Sequence, residues 1–108
     1  MNIDLPAPVA IYFAAQNRHD IGAMLSAFAA SAAVLDEKVE HAGSAAIQAW
    51  LETTSRRYRV EVTPLRVEDH TGVTVVTGLV SGDFPGSPIH LRYSFTMSDA
   101  GIERLSIA

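Results

Sequence analysis

The stretch Ala33-Val34-Leu35-Asp36-Glu37 ends an apolar run in two adjacent carboxylates. Side chains alternate faces along a strand, so Asp36 shares a face with Val34, and Glu37 shares the other with Leu35. Neighbours that point apart cannot work as an acid–base pair. If the Val34 face lines an apolar interior, Asp36 is a carboxylate held away from water. If that face meets solvent, Asp36 is an ordinary strand end bonded to loop backbone. Four histidines, His19, His41, His70 and His90, raise the question of a metal. No two of them have the i, i+4 spacing that places ligands on one helix face, and no cofactor or metal is expected. His19 and His70 fall in turns. His41 follows the loop after Asp36 and could approach the mouth of an interior. His90 opens a strand, and facing inward it would be a proton-transfer partner for Asp36.

The rest of the composition narrows the class of protein. The chain has 108 residues, of which 48% are apolar and 19% charged, which suits one domain spanning 1–108 with a sizeable core. Net charge is −4, and the densest basic cluster is Arg56-Arg57-Tyr58-Arg59, so nucleic acid is not an expected partner. Cysteine is absent, which excludes disulfides, thiol catalysis and Cys-ligated zinc. The start, Met1-Asn2-Ile3-Asp4, has no basic leader, and no apolar run reaches membrane-spanning length. A cytoplasmic protein with no membrane partner is the default expectation.

Several elements must position these residues. Asp4 can cap a first helix with Pro6 in its opening turn, and Leu5, Val9, Tyr12, Phe13 and Gln16 follow the three-to-four spacing of an amphipathic helix up to about Asn17. Asp20 caps a second helix whose face is Met24, Leu25 and Phe28. Ala32 to Glu37 reads as a short strand, Lys38 to Gly43 as a loop, and Ser44 as the cap of a third helix carrying Ile47, Trp50 and Leu51. From Tyr58 the period becomes two, with Pro64 marking an edge or a bulge. Strands follow over Val73 to Asp83, with Gly78 and Gly82 permitting bends, then Ile89 to Met97 and Ile102 to Ile107. Helices lead and antiparallel strands follow without a strand–helix–strand repeat, which predicts an α+β fold. Three N-terminal helices packed on one face of a curved antiparallel or mixed sheet would enclose a cone. Valines on both sides of the sheet (Val60, Val62, Val73, Val75 and Val76) suggest a homodimer through the sheets.

The order of elements resembles the SnoaL-like and ketosteroid-isomerase-like branch of the nuclear transport factor 2-like superfamily. Four blocks carry the likeness: Tyr12-Phe13-Ala14-Ala15-Gln16-Asn17-Arg18-His19-Asp20, Met24-Leu25-Ser26-Ala27-Phe28-Ala29, Ala33-Val34-Leu35-Asp36, and Gly43-Ser44-Ala45-Ala46-Ile47-Gln48-Ala49-Trp50. The resemblance covers essentially the whole chain and implies the conical fold. It also puts Asp36 where ketosteroid isomerases hold their general base. A base that removes a proton next to a carbonyl needs a pKa nearer the operating pH than a free aspartate has, and apolar surroundings supply that rise. Tyr12 matches the family's phenol that donates to the developing oxyanion.

The isomerases also use a second, protonated acid from a later strand. Here the alternation Leu91, Tyr93, Phe95 puts Leu91 at that position and His90 and Arg92 on the opposite face, while a register one residue off brings His90 or Arg92 inward. The full isomerase apparatus is therefore not expected. The resemblance implies a pocket for a small hydrophobic ligand with Asp36 as base and Tyr12 as oxyanion donor. Trp50, Phe28 and Phe95 would be walls, with His41 and His90 as further ligand contacts. It is compatible with an acid–base isomerase, cyclase or dehydratase, or with a non-catalytic ligand-binding or dimeric interaction module. The chain is shorter than most catalytic members and lacks their C-terminal extension, so an open site or a partner-supplied lid is expected.

Overall fold

The computed structural model describes residues 4–108, so most of the N-terminal stretch inspected for a leader lies outside it. The elements are α1 (Ala7–Asn17), α2 (Ile21–Ser26), β1 (Phe28–Asp36), β2 (Val39–Ala42), α3 (Ser44–Tyr58), β3 (Glu61–His70), β4 (Val73–Ser81), β5 (Ile89–Ser98) and β6 (Gly101–Ile107). The fold is α+β, with a mixed sheet in the order β2-β1-β6-β5-β4-β3. β1 runs parallel to β6, and the other pairs are antiparallel. The helices do not all precede the sheet, because β1 and β2 come before α3. Among the described residues no helix is long and apolar enough to cross a membrane.

The first helix starts later than expected. Pro6 occupies its cap position and Pro8 its first turn, so Asp4 is not the cap. Pro8 brings no N–H, which removes one of the donors a cap would otherwise satisfy. Val9, Tyr12, Phe13 and Ala15 form the buried side, as the spacing requires. At the far end Asn17 clamps the helix to the sheet: its Nδ2 donates to the Val62 carbonyl at 2.8 Å, and its Oδ1 accepts from the Val62 N–H at 2.7 Å. Asp20 does cap α2, accepting from the Ala23 N–H at 3.1 Å.

Phe28 belongs to β1 and not to α2. It pairs with Ile102, and the Ile102 N–H reaches the Ala27 carbonyl at 2.9 Å. Alanine favours helix in isolation, but pairing with β6 at Phe28 and again from Ala33, with an irregularity between them, brings Ala29 to Ser31 into the strand as well. The expected loop from Lys38 to Gly43 is largely β2. Glu37 and Lys38 both have positive φ (51° and 66°), the geometry of a two-residue hairpin turn, and Asp36 pairs with Val39 across it. Gly43, at φ 87°, takes the cap position of α3, so Ser44 is the first helical residue and its hydroxyl turns to the Ala30 carbonyl.

Tyr58 closes α3 instead of opening a strand. Arg56 and Arg57 in the last turn complement the helix dipole, and Arg59 takes the left-handed cap conformation. β3 is an edge strand, and its register shifts between Pro64 and Arg66, so the proline sits at both an edge and a bulge. Gly78 lies opposite Pro64, where an added Cβ would come within 2.7 Å of Val62 Cγ1. The core fills the space between helices and sheet with Val34, Ile47, Leu51, Val76, Phe95 and Leu105 among its members.

Candidate active site

Strand order brings the polar groups together. Leu35 on β1 lies opposite Ser106 on β6, so Asp36 and Ile107 stand one residue further along the parallel pair. Ile107 is in turn the partner of Tyr93 on β5. Residues in one such row share a face, so Asp36 and Tyr93 flank Ile107 from either side, about 10 Å apart at the backbone. Both side chains line the same cavity, which is enough reach for a tyrosine and a carboxylate to converge.

Tyr12 enters the cavity from α1. Its ring is held edge-on by Phe13, Phe28 and Phe95, with centroids 5.3, 5.7 and 5.9 Å away. Three such contacts fix the ring and so aim its hydroxyl. Burial pushes the Tyr12 phenol well above the ordinary tyrosine range, and the Tyr93 phenol and the Asp36 carboxylate push it the same way. Tyr93 is raised too, first by burial and then by the Asp36 charge. Each phenol therefore keeps its proton at neutral pH and remains a hydrogen-bond donor.

Asp36 is half-buried. Its Oδ2 accepts a hydrogen bond from Trp50 Nε1 at 3.0 Å, so its partner is a side chain of α3 and not loop backbone. Trp50 is buried, and its ring forms part of the cavity wall.

The cavity holds about 290 Å³. Met24, Leu51, Val80 and Leu91 give much of its wall an apolar character. The loop at Phe84 and Pro85, with the exposed Ile89, borders it on the solvent side. A carboxylate beside two neutral phenols in such a space can accept a proton from carbon while the phenols bind an oxygen that gains negative charge. Among the described residues no group of three or more His, Asp or Glu side chains could hold a metal.

The structure brings Asp36, Tyr12 and Trp50 to the cavity and places the other expected contacts elsewhere. Phe28 and Phe95 are buried behind the Tyr12 ring, supporting it without lining the cavity. His41 stacks on Trp50, with centroids 5.9 Å apart, and lines a neighbouring space of about 270 Å³ that also meets Asp36 and Arg57. His90 is exposed and pairs with Leu79, so alternation turns it and Arg92 to the outer face while Leu91 and Tyr93 face in.

Tyr93 and Gln16 are cavity residues to which the sequence assigns no role in the site. For Tyr93 the signal is present, since it alternates with Leu91. The neighbourhood of β1, β6 and β5 is what gives that signal meaning.

The sequence profile of the SnoaL-like domain matches residues 9–99. The chain belongs to the SnoaL-like family. A candidate polyketide cyclase from Sinorhizobium meliloti is similar to this SnoaL-like chain at 39% identity, with 97% of this chain and 96% of that one covered and a TM-score of 0.92. A Catenulispora acidiphila protein with a ketosteroid isomerase-like fold, solved in complex with trimethylamine, matches at 18% identity over 97% and 86% of the two chains, TM-score 0.83. The epoxide hydrolase/cyclase-like enzyme SalBIII, linked to pyran ring formation in salinomycin, matches at 20% identity over 94% and 86%, TM-score 0.81. The last two likenesses are of fold. No functionally curated protein matches the sequence.

Proposed function

We propose that this SnoaL-like protein is an acid–base enzyme acting on a small, largely apolar carbonyl compound, in an isomerisation, cyclisation or dehydration. The observation that carries this reading is the convergence of one carboxylate, Asp36, and two protonated phenols, Tyr12 and Tyr93, on one cavity. Similarity to a candidate polyketide cyclase supports the same class.

In the proposed step, Asp36 takes a proton from the carbon next to the substrate carbonyl. Trp50 engages Oδ2, so Oδ1 receives it. The C–H electron pair becomes the enolate, whose oxygen accepts hydrogen bonds from Tyr12 and Tyr93. The protonated Asp36 then gives that proton back: to a second carbon in an isomerisation, to the oxygen of a second carbonyl that the enolate has attacked in a cyclisation, or to a β-hydroxyl that leaves as water when the enolate collapses in a dehydration. Two phenols would thus do the work that ketosteroid isomerases share between a phenol and a protonated acid.

The test is exchange of the α-proton of small aromatic ketones in deuterated water, followed by NMR. Wild type is expected to accelerate exchange, Asp36→Asn to abolish the acceleration, and Tyr12→Phe or Tyr93→Phe each to lower it. Equal exchange by wild type and Asp36→Asn would overturn the assignment.

A second reading, a binding module without chemistry, is favoured by the Trp50–Asp36 bond, which gives the carboxylate a structural use. It corresponds to ligands that stabilise the protein without any exchange. For assembly we propose a homodimer through the sheets, with the partly exposed Val73 and Leu79 of β4 in the contact and sedimentation at twice the monomer mass as the expected result.

A further inference from the structure

We infer that His41 is a positioning residue: by stacking on Trp50 it keeps the indole N–H on the Asp36 carboxylate. Its effect on the reaction rests on the proposed function above, while its hold on the indole does not.

The hairpin of β1 and β2 sets the ring in place. His41 is the partner of Val34 across that pair. Residues directly opposite in an antiparallel pair share a face, and Val34 is fully buried, so the imidazole lies on the side that α3 covers. Asp36 is on that side too, two residues after Val34. The half-buried imidazole meets the Trp50 indole with centroids 5.9 Å apart and planes inclined by 30°, a stacked pair.

Trp50 needs such a support. The indole forms part of the wall of the 290 Å³ cavity and also of the neighbouring space of about 270 Å³. A side chain between two open spaces has fewer atoms packed against it than one in a filled core. Its N–H bond weakens steeply once the donor angle falls. His41 lines the second space and not the first, so its ring stops the indole tipping into the second space without taking room from a ligand in the first. Other groups there are engaged elsewhere: the Thr54 hydroxyl donates to the Trp50 and Leu51 carbonyls, and the Arg57 guanidinium lies over the Tyr58 ring. A released indole leaves Asp36 free to turn, and misplacing a reacting group by about 1 Å can cost about 100-fold in rate.

Trp50 is the chain's one tryptophan, so fluorescence reports on this indole alone. The experiment measures its time-resolved anisotropy in the full chain for wild type, His41→Ala and His41→Phe. The α-proton exchange of tetralone and its calorimetric affinity are measured on the same proteins. In wild type the anisotropy is expected to decay only with tumbling of the whole protein. His41→Ala should add a fast decay of about a nanosecond or less. Its exchange should fall about tenfold while tetralone binds within about twofold of wild type. His41→Phe restores a ring and should return both the rigid indole and the exchange. His41→Thr, a good strand former, serves if His41→Ala melts early.

A rigid indole in His41→Ala, unchanged exchange there, or His41→Phe no better than His41→Ala overturns the inference. Tetralone bound about tenfold more weakly by His41→Ala also overturns it, because His41 would then be a ligand contact. Absence of exchange in wild type removes the catalytic reading alone, and the anisotropy then decides whether His41 holds Trp50.

Discussion

The indole of Trp50 donates to Asp36 Oδ2 at 3.0 Å, joining the middle of α3 to the last residue of β1. The bond restricts the rotation of a carboxylate that lines the cavity. Trp50→Phe keeps the wall and removes the donor. A hydrogen bond to a charged group contributes about 1.5–3 kcal/mol, and the half-exposed carboxylate can recover part of that from water. The expected loss is about 1–2 kcal/mol in urea unfolding, with a fall in α-proton exchange. Asp36→Asn still offers an oxygen to the indole, so its stability should stay within about 1 kcal/mol of wild type while exchange is lost. An Asp36→Asn protein as destabilised as Asp36→Ala would show that the indole needs the charge and not only an acceptor.

Tyr12 and Tyr93 both hold their protons more tightly in the folded chain than a free tyrosine does. A phenol whose folded pKa lies above its unfolded value of about 10 binds more protons when folded in the window between the two. Its contribution to stability is complete below about pH 10 and is lost as pH rises through the folded pKa. The midpoint of urea unfolding should therefore fall steeply above about pH 10. Combining Tyr12→Phe with Tyr93→Phe should flatten that fall and reduce the phenolate absorbance that appears on alkaline unfolding. An unchanged slope in the double variant would assign the alkaline loss to other groups.

Much of this site is legible in the sequence because its signals are local. The shared face of Val34 and Asp36, the helical spacing of Tyr12 and the edge role of Pro64 each follow from a few neighbouring residues. What is not legible depends on partners distant in the chain. Phe28 to Ser31 becomes strand because β1 is anchored to β6 at Phe28–Ile102 and again from Ala33–Arg104, against the helical preference of alanine. The Glu37-Lys38 turn lacks the Asn-Gly or Asp-Gly signal usual for its geometry, so β2 is hidden. Tyr93 meets Asp36 only because β6 lies between β1 and β5. The same alternation turns His90 out, a result that needs the register and not just the period.

Gly82 sits where the loop bordering the cavity crosses the end of α3. A Cβ there would lie 2.5 Å from the Tyr58 carbonyl oxygen and 3.1 Å from Val60 Cγ1. The neighbouring Asp83 N–H already uses that carbonyl, at 2.6 Å, so the backbone has little room to retreat. Gly82→Ala should cost about 1–3 kcal/mol, the usual range for forced overpacking. Because Tyr58, Val60 and Phe84 all line the cavity, ligand affinity should fall with it. A Gly82→Ala protein with wild-type melting and wild-type tetralone binding would contradict the close approach.

Asn17 tests how α1 is held over the cavity. Its amide makes two short bonds to the Val62 backbone, one in each direction, and no other residue type of that size offers a donor and an acceptor in the same plane. A carboxylate in place of the amide would supply only the acceptor, so Asn17→Asp leaves the Val62 carbonyl without its donor and brings a negative charge against it. Asn17→Ala leaves both Val62 groups unpaired. Each lost bond is worth about 0.5–1.5 kcal/mol, which puts Asn17→Ala near 1–3 kcal/mol and Asn17→Asp at a similar loss. Tyr12 and Gln16 lie on the same helix, so loosening its end should also weaken ligand binding in proportion. Hydrogen exchange at the Val62 amide gives the local readout: it should quicken in both variants, more in Asn17→Ala, where the acceptor is gone. Protection of that amide unchanged in Asn17→Ala would mean that the clamp does not hold the helix to the sheet.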